Sequence, residues 1–466
     1  MTSSPLGNVS EHIWLTILVI ACVLVTIAWT GIEPQLAPDS SGYLSFSTSR
    51  SLGYPLYLAL FNTSLGEENL ELVVMGHWLL FLGASLVLAN ALHQVVGPYG
   101  AFFTILLITA NPFLIEYHQK ILTESLFISL CMIVMALVIS LMQSATIWKL
   151  TAYAIVCCLA YWLRPVALAL PALLILLLPL LWPQLKERLL KCGLALIIPA
   201  FIFVGIDTVS QQLIHGDQPR QSLLVNHAFG KAALVPNAEF PQYEANDPRR
   251  NLEDILEHGF SDVRGIIRSA PNTPIAIFLS SNYEVFAQYQ LGQQPEYRFP
   301  AISNLRVLQL EVSLSRLWQN PGSYLRLVWL NFKGCWTVTT VGDFFFDEDI
   351  RSYLDRIDDI PFSHALPEPK APSLFAATMT LSIWLMGIFT TFVVPIAYFA
   401  FPKHRTLQVN LIFLFSALIN GYFLLVALTG IGIPRYALAV LPVMVVVAML
   451  TVQEFVRRLP LVRLNR

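Results

Sequence analysis

Apolar residues gather along this chain into long, nearly uncharged runs separated by short polar breaks and by one long polar interval. A helix that crosses a bilayer needs about 20 mostly apolar residues. On that measure the runs predict spans near 12–31, 70–94, 101–116, 124–143, 147–164, 166–182, 190–208, 373–400, 408–429 and 434–456. The third run is short, and the fifth and sixth meet at Arg164-Pro165, where proline ends or breaks a helix. The expected fold is an all-α polytopic membrane protein, a bundle of about ten transmembrane helices with a large, mainly helical loop region. Three parts follow: 1–208, an N-terminal membrane module with the first outer loop; 209–372, the loop domain; and 373–466, a C-terminal membrane module with a basic tail.

The polar interval is patterned as well. In 247–269 charged residues alternate with Leu252, Ile255, Leu256, Val263, Ile266 and Ile267, the spacing of an amphipathic helix, and 302–317 repeats it. Prolines at 219, 236, 241, 274, 295, 300 and 321 divide the interval into short pieces, and no run alternates as strands do. Residues 324–341 are apolar enough to be weighed as a span, but Arg326 and Lys333 interrupt them. A span there would also reverse every later helix, so the segment is read as lying along the membrane surface. His215 and Lys231 read as solvated, and His77, inside the second run, as a satisfied core residue.

Composition sharpens the class. Of 466 residues 56% are hydrophobic and only 12% charged, about half the charged share of a soluble protein; the mean hydropathy is +0.62. A net charge of −2 argues against a nucleic-acid partner, which needs a basic field. The six cysteines show no zinc or disulfide spacing. Val19-Ile20-Ala21-Cys22 has the look of a lipoprotein cleavage site, but the apolar run continues to Trp29, so a retained helix is expected.

Lys and Arg in the short connections set the orientation. One side carries Lys149, then Lys186, Arg188 and Lys191, then Lys403 and Arg405, then the tail arginines 457, 458, 463 and 466. The short connections of the other side carry Lys120, Arg164 and Arg435. Both termini are therefore expected in the cytoplasm, with Asp39 on the outer face.

Four stretches meet that outer face: Pro38-Asp39-Ser40-Ser41-Gly42-Tyr43 with Gly53-Tyr54-Pro55, the segment from Asn111-Pro112 to Thr123-Glu124, Trp162-Leu163-Arg164-Pro165, and Ile433-Pro434-Arg435-Tyr436. In this order they resemble the GT-C glycosyltransferases, and within them the bacterial branch similar to protein O-mannosyltransferases and lipid A aminoarabinose transferases. The resemblance spans roughly 12–208 and 373–456, within a few residues, and leaves out the loop domain.

The resemblance implies an enzyme of the bacterial inner membrane that moves a sugar from a polyprenyl-phosphate donor, with inversion, onto an acceptor on a glycan, lipid or protein. Such a reaction needs a base, for which Asp39 is the candidate, and fixed cations for the leaving phosphate, for which Arg435, Arg164 and Lys120 are candidates. Tyr43, Tyr54, Glu116, His118, Glu124 and Tyr436 are candidates for substrate contacts. Several have a plainer reading: Asp39 as a helix cap, Arg164 and Arg435 as snorkelling ends, Lys120 as a surface charge, Glu124 as an acid suited to a helix N-terminus, and Tyr54 and Tyr436 as part of an interfacial belt. Some GT-C enzymes use a divalent cation, and Glu116, His118 and Glu124 offer donors for Mg²⁺ or Mn²⁺. The first loop lacks an Asp-x-Asp pair, so no metal is assigned. Two other classes compete. An O-antigen polymerase or ligase would rest on outer-loop arginines with no essential acid after the first helix, and a transporter would place charges at mid-membrane or pair broken helices.

Overall fold

The computed structural model describes residues 5–37, 39–61, 69–216, 223–236, 244, 247–270, 276, 277, 279–281, 283, 284, 287, 302–336, 374–430, 432 and 434–458. Among these residues the regular structure is helical, and the β-contact they show is a single bridge between Gln35 and Lys120. Contacts divide the chain into one unit of Met1–Gln221, Ile388–Tyr422 and Leu438–Arg466, and a second of Ser222–Gly387 and Phe423–Ala437. Segments 374–387 and 423–437, read from sequence as parts of the C-terminal membrane module, thus pack with the loop domain.

In the first unit α1 (Pro5–Thr30) is followed by the short α2 (Ser40–Leu44) and α3 (Gly53–Ala59), then by α4 (Leu70–Thr109) and α5 (Pro112–Gln119). Next come α6 (Glu124–Gln143), α7 (Ile147–Leu163), α8 (Ala169–Ala172), α9 (Leu174–Leu185) and α10 (Leu189–His215). Among the described residues six segments are long and apolar enough to cross a membrane: Ser10–Thr30, Leu70–Thr109, Glu124–Gln143, Pro165–His215, Thr378–Ala400 and Leu407–Thr429.

Two of the six hold more than one crossing. The 40 residues of α4 would measure roughly 60 Å as one helix, about twice the apolar thickness of a bilayer. The helix breaks at Gly97, whose φ of 75° is left-handed, and resumes at Pro98. Such a break strips nearby carbonyls of helical partners, and apolar surroundings supply none. Glutamine side chains fill the gap: Gln408 Nε2 donates to the Val95 carbonyl at 3.1 Å, and Gln453 Nε2 to that of Val96 at 3.0 Å. Pro165–His215 is divided in the same way by the turn Lys186–Arg188.

The third predicted span differs from its sequence boundaries. Thr109 lies 2.9 Å from Cys22 halfway along α1, while Gln119 Nε2 reaches the Thr30 carbonyl at its end, 2.8 Å away. The climb from Thr109 to Gln119 therefore runs alongside the second half of α1. Asn111-Pro112 is a break within this span and not the start of a loop. Asn111 Oδ1 accepts from the Phe113 and Leu114 amides at 3.1 and 3.3 Å, capping α5, and Pro112 occupies a position that needs no amide donor. Helix α6 is enclosed on most sides, whereas α1 and α10 keep outward Trp14, Val25, Trp29, Phe201, Val204 and Leu213, as lipid-facing helices do.

The second unit contains α11 (Leu223–Leu234), α12 (Pro248–His258), α13 (Ser261–Ser269), α14 (Ile302–Gln319), α15 (Pro321–Gly334) and α16 (Leu374–Ile388). The amphipathic reading of 247–269 holds: Leu252 and Leu256 enter a core with Phe229, Phe260, Leu279 and Val312, while Ile255, Val263, Ile266 and Ile267 pack against it. At 14 residues α15 is roughly 21 Å long, too short to cross a bilayer; 337–341 lie outside the described residues. Two expectations are corrected. Lys231 is buried, paired with Glu284 at 3.3 Å, because α11 turns that face into the core. His215 is half-buried, its ring 4.9 Å from that of Phe46. The chain continues through α17 (Val394–Ala400), α18 (Leu407–Thr429), α19 (Pro434–Ala439) and α20 (Leu441–Arg458).

Asn111→Ala should lower the stability of the purified protein by roughly 1–2 kcal/mol, the usual worth of a lost N-cap. Thermal melts in detergent will show it, and Asn111→Asp, which keeps the acceptor, should restore most of the loss.

Candidate active site

Helix α1 ends at Gly31, whose φ of +78° suits glycine and whose amide donates to the Ile27 carbonyl at 2.8 Å. The chain is then tied to the turn between α5 and α6. Gln35 donates its amide to Gln119 at 2.9 Å and accepts from Ile121 at 3.0 Å, and Ser40 Oγ donates to the Ile121 carbonyl at 2.9 Å. These ties, made 80 or more residues apart in sequence, bring the start of α2 beside Thr123 and Glu124.

Asp39 stands just ahead of α2 and makes no capping bond to it. Its Oδ1 instead takes Nη2 of Arg50 at 2.8 Å, with side-chain exposures of 30% for Asp39 and 17% for Arg50. Arg50 lies along α2 because Gly42 leaves room: a Cβ there would come within 2.9 Å of Nε. The guanidinium carbon sits 4.5 Å from the centre of the Tyr43 ring, a cation–π contact. Sequence reasoning gave Arg50 no role. The signal available was a cation between Asp39 and Gly53-Tyr54-Pro55, but which residue it would meet depends on how 45–52 fold back.

A second ion pair lies close by and is more enclosed. Glu124 Oε1 and Arg164 Nη1 are 3.2 Å apart, with side-chain exposures of 3% and 8%. Arg164 follows α7, its amide donating to the Ala160 carbonyl at 2.9 Å, and its charge lies 5.7 Å from the Phe127 ring. Gly53 lets α3 rest on the same helix end, where a Cβ would be 2.8 Å from the Trp162 carbonyl oxygen. Tyr43 belongs to both pairs. Its phenol is hydrogen-bonded to Thr123 and feels Arg50, Glu124 and Arg164. Desolvation is the largest influence and raises its pKa above the ordinary value of 10; Arg50 opposes the shift, Glu124 adds to it, and Arg164 and the Thr123 bond oppose it.

Behind Tyr43 a polar chain leads inward. The Tyr54 ring meets Tyr43 edge-on at 5.1 Å, and its hydroxyl lies 3.3 Å from His77 Nε2. His77 Nδ1 is 3.0 Å from the His118 carbonyl, which can only accept, so Nδ1 carries the proton and Tyr54 donates to Nε2. His77 is the satisfied core histidine that the sequence suggested. His118 is enclosed too, its Nδ1 2.7 Å from Ser125 Oγ and its ring 4.3 Å from that of Phe81.

Lys120 and Glu116 pair with each other one turn apart on an exposed surface, and Lys120 lies 4.9 Å over the Tyr117 ring. Arg435 and Tyr436 belong to the second unit, where the guanidinium carbon is 5.8 Å from the tyrosine ring centre. There His227 has its pKa lowered from 6.5 to about 4, first by burial and then by Lys231 and Arg435. Among the described residues no three His, Cys, Asp or Glu side chains converge as metal ligands would. Glu116 is paired with Lys120, His118 with Ser125 and Glu124 with Arg164.

Glu124→Leu should destabilise the protein by roughly 3–5 kcal/mol, since it leaves the Arg164 charge enclosed without its partner. The double variant Glu124→Leu/Arg164→Met should regain most of that loss in denaturant titrations.

No family model matches the chain, and no curated protein matches it. Among solved structures it is similar to a crystal structure of ArnT from Cupriavidus metallidurans bound to undecaprenyl phosphate. That similarity has 15% sequence identity and a TM-score of 0.34, and covers 89% of this chain and 77% of that one.

Proposed function

We propose that the protein is a membrane glycosyltransferase of the GT-C type, which moves a sugar from a polyprenyl-phosphate donor to an acceptor hydroxyl on the outer side of the bacterial inner membrane. The observation that carries this reading is the Asp39 carboxylate, partly open to solvent and fixed by Arg50 at the end of the first span. It sits beside a second, enclosed pair of opposite charges. The motif resemblance supports the same reading.

In the proposed reaction Asp39 takes the proton of the acceptor hydroxyl as its oxygen bonds to the anomeric carbon. The bond from that carbon to the phosphate oxygen breaks, and the polyprenyl phosphate leaves with the electron pair. Attack opposite the leaving group inverts the anomeric centre. Arg50 anchors one carboxylate oxygen of Asp39 and so fixes the direction from which the base works. Arg435 is assigned to the departing phosphate, for which a guanidinium fork is well shaped. Arg164, restrained by Glu124, adds positive charge near Tyr43, and Tyr43 is assigned to the sugar. Lys120 and Tyr436 are placed in supporting contacts at the membrane surface.

Asp39→Asn in purified protein should lower turnover of polyprenyl-phosphate-linked sugars by at least about 100-fold, the usual share of a general base, while donor binding is kept. Near-wild-type turnover in that variant would remove Asp39 from the role. A wild type that neither binds nor uses any such donor would put the polymerase or ligase reading first.

A further inference from the structure

The second unit buries charged side chains in its core. Lys231 and Glu284 form an ion pair in which both side chains are almost wholly enclosed. Burying such a pair is often no better for stability than well-packed apolar residues of similar volume. What apolar residues would not do is hold the backbone that follows. Glu284 Oε1 accepts from Asn331 Nδ2 at 2.7 Å, and Asn331 Oδ1 accepts the Gly432 amide proton at 2.8 Å. Gly432 is pressed so closely on α15 that a Cβ would overlap the Asn331 carbonyl. A Cβ at Gly334, on the same helix, would come within 2.7 Å of the Gly432 oxygen. Slightly upstream, the Tyr324 hydroxyl donates to the Leu428 carbonyl at 3.0 Å. The segment entering α19 is thus gripped at Leu428 and again at Gly432. Three residues beyond the second grip stands Arg435.

We propose that Lys231, Glu284 and Asn331 are positioning residues for Arg435, their chain of contacts fixing Gly432 and so the direction in which the guanidinium meets a phosphate ester. This rests on the phosphate role assigned above to Arg435. Lys231 orients Glu284, Glu284 orients the Asn331 amide, and the amide holds the backbone. The whole path lies within one unit: Lys231 on α11, Glu284, and Asn331 on α15. An arginine on a mobile backbone would lose backbone as well as side-chain freedom on gripping a phosphate, and a backbone already fixed at its base removes the first of these losses.

The test is a double-variant cycle on the full-length protein in detergent, with undecaprenyl phosphate titrated as the probe. Arg435→Ala should weaken binding by about tenfold and Asn331→Ala by about fivefold, and the double variant should be no weaker than Arg435→Ala alone, the signature of two residues acting as one. Independent losses that multiply would overturn the proposal. Undiminished binding by Arg435→Ala would overturn both the proposal and the phosphate role it rests on. Arg316→Lys serves as the structural control. Arg316 pairs with Glu253 and Glu257 in the same core and should lower the melting temperature while leaving the half-saturation concentration unchanged. If Asn331→Ala does not fold, Glu284→Leu, which removes the acceptor that orients Asn331, takes its place in the cycle, and absence of coupling there counts equally against the proposal.

Discussion

A polar group that leaves water inside an apolar bundle must find its partner in the chain, and in the first unit that requirement decides where helices break and where chemistry can stand. The carbonyls released at Gly97 are met by Gln408 and Gln453. The amides released at Asn111 are met by that residue's own side chain. His77 and His118 pass hydrogen bonds from Tyr54 to the end of α5. Each device lets a span bend without exposing backbone to lipid. Together they give the α5–α6 turn a definite place, against which the loop after α1 is tied.

The same requirement explains the two ion pairs at that turn. An enclosed carboxylate or guanidinium is costly alone, and Glu124 and Arg164 each remove the other's penalty. Asp39 and Arg50 are paired in a more open setting, where a carboxylate can still meet a ligand. Tyr43 touches one pair directly and feels the other, so a change of charge on either would be registered at the phenol. An enclosed pair thus stands beside a more open one, the arrangement that the proposed function uses.

The helical architecture was legible because apolar length is a strong signal: the ten predicted runs coincide with helices or with helices divided by a break. That Asp39, Tyr43, Glu124 and Arg164 lie at the edges of apolar runs was legible as well. Other features depend on contacts that no local pattern carries. Arg50 meets Asp39 only because α2 and α3 turn the intervening residues back. Lys231 looked solvated because its partner Glu284 is 53 positions away. The break at Asn111-Pro112 is hidden because, in sequence, a cap within a span and a cap at its end are written with the same residues. The division of 374–387 and 423–437 into the second unit is likewise a matter of packing, invisible to hydropathy.

The most direct measurement of the central claim is the stereochemistry of transfer by the wild-type protein. A polyprenyl-phosphate donor of known anomeric configuration would be turned over and the product's anomeric signal read by NMR. The account predicts a product of opposite configuration with one free polyprenyl phosphate released per sugar moved. Retention of configuration, or sugar transfer without release of the lipid phosphate, would contradict a single displacement assisted by Asp39.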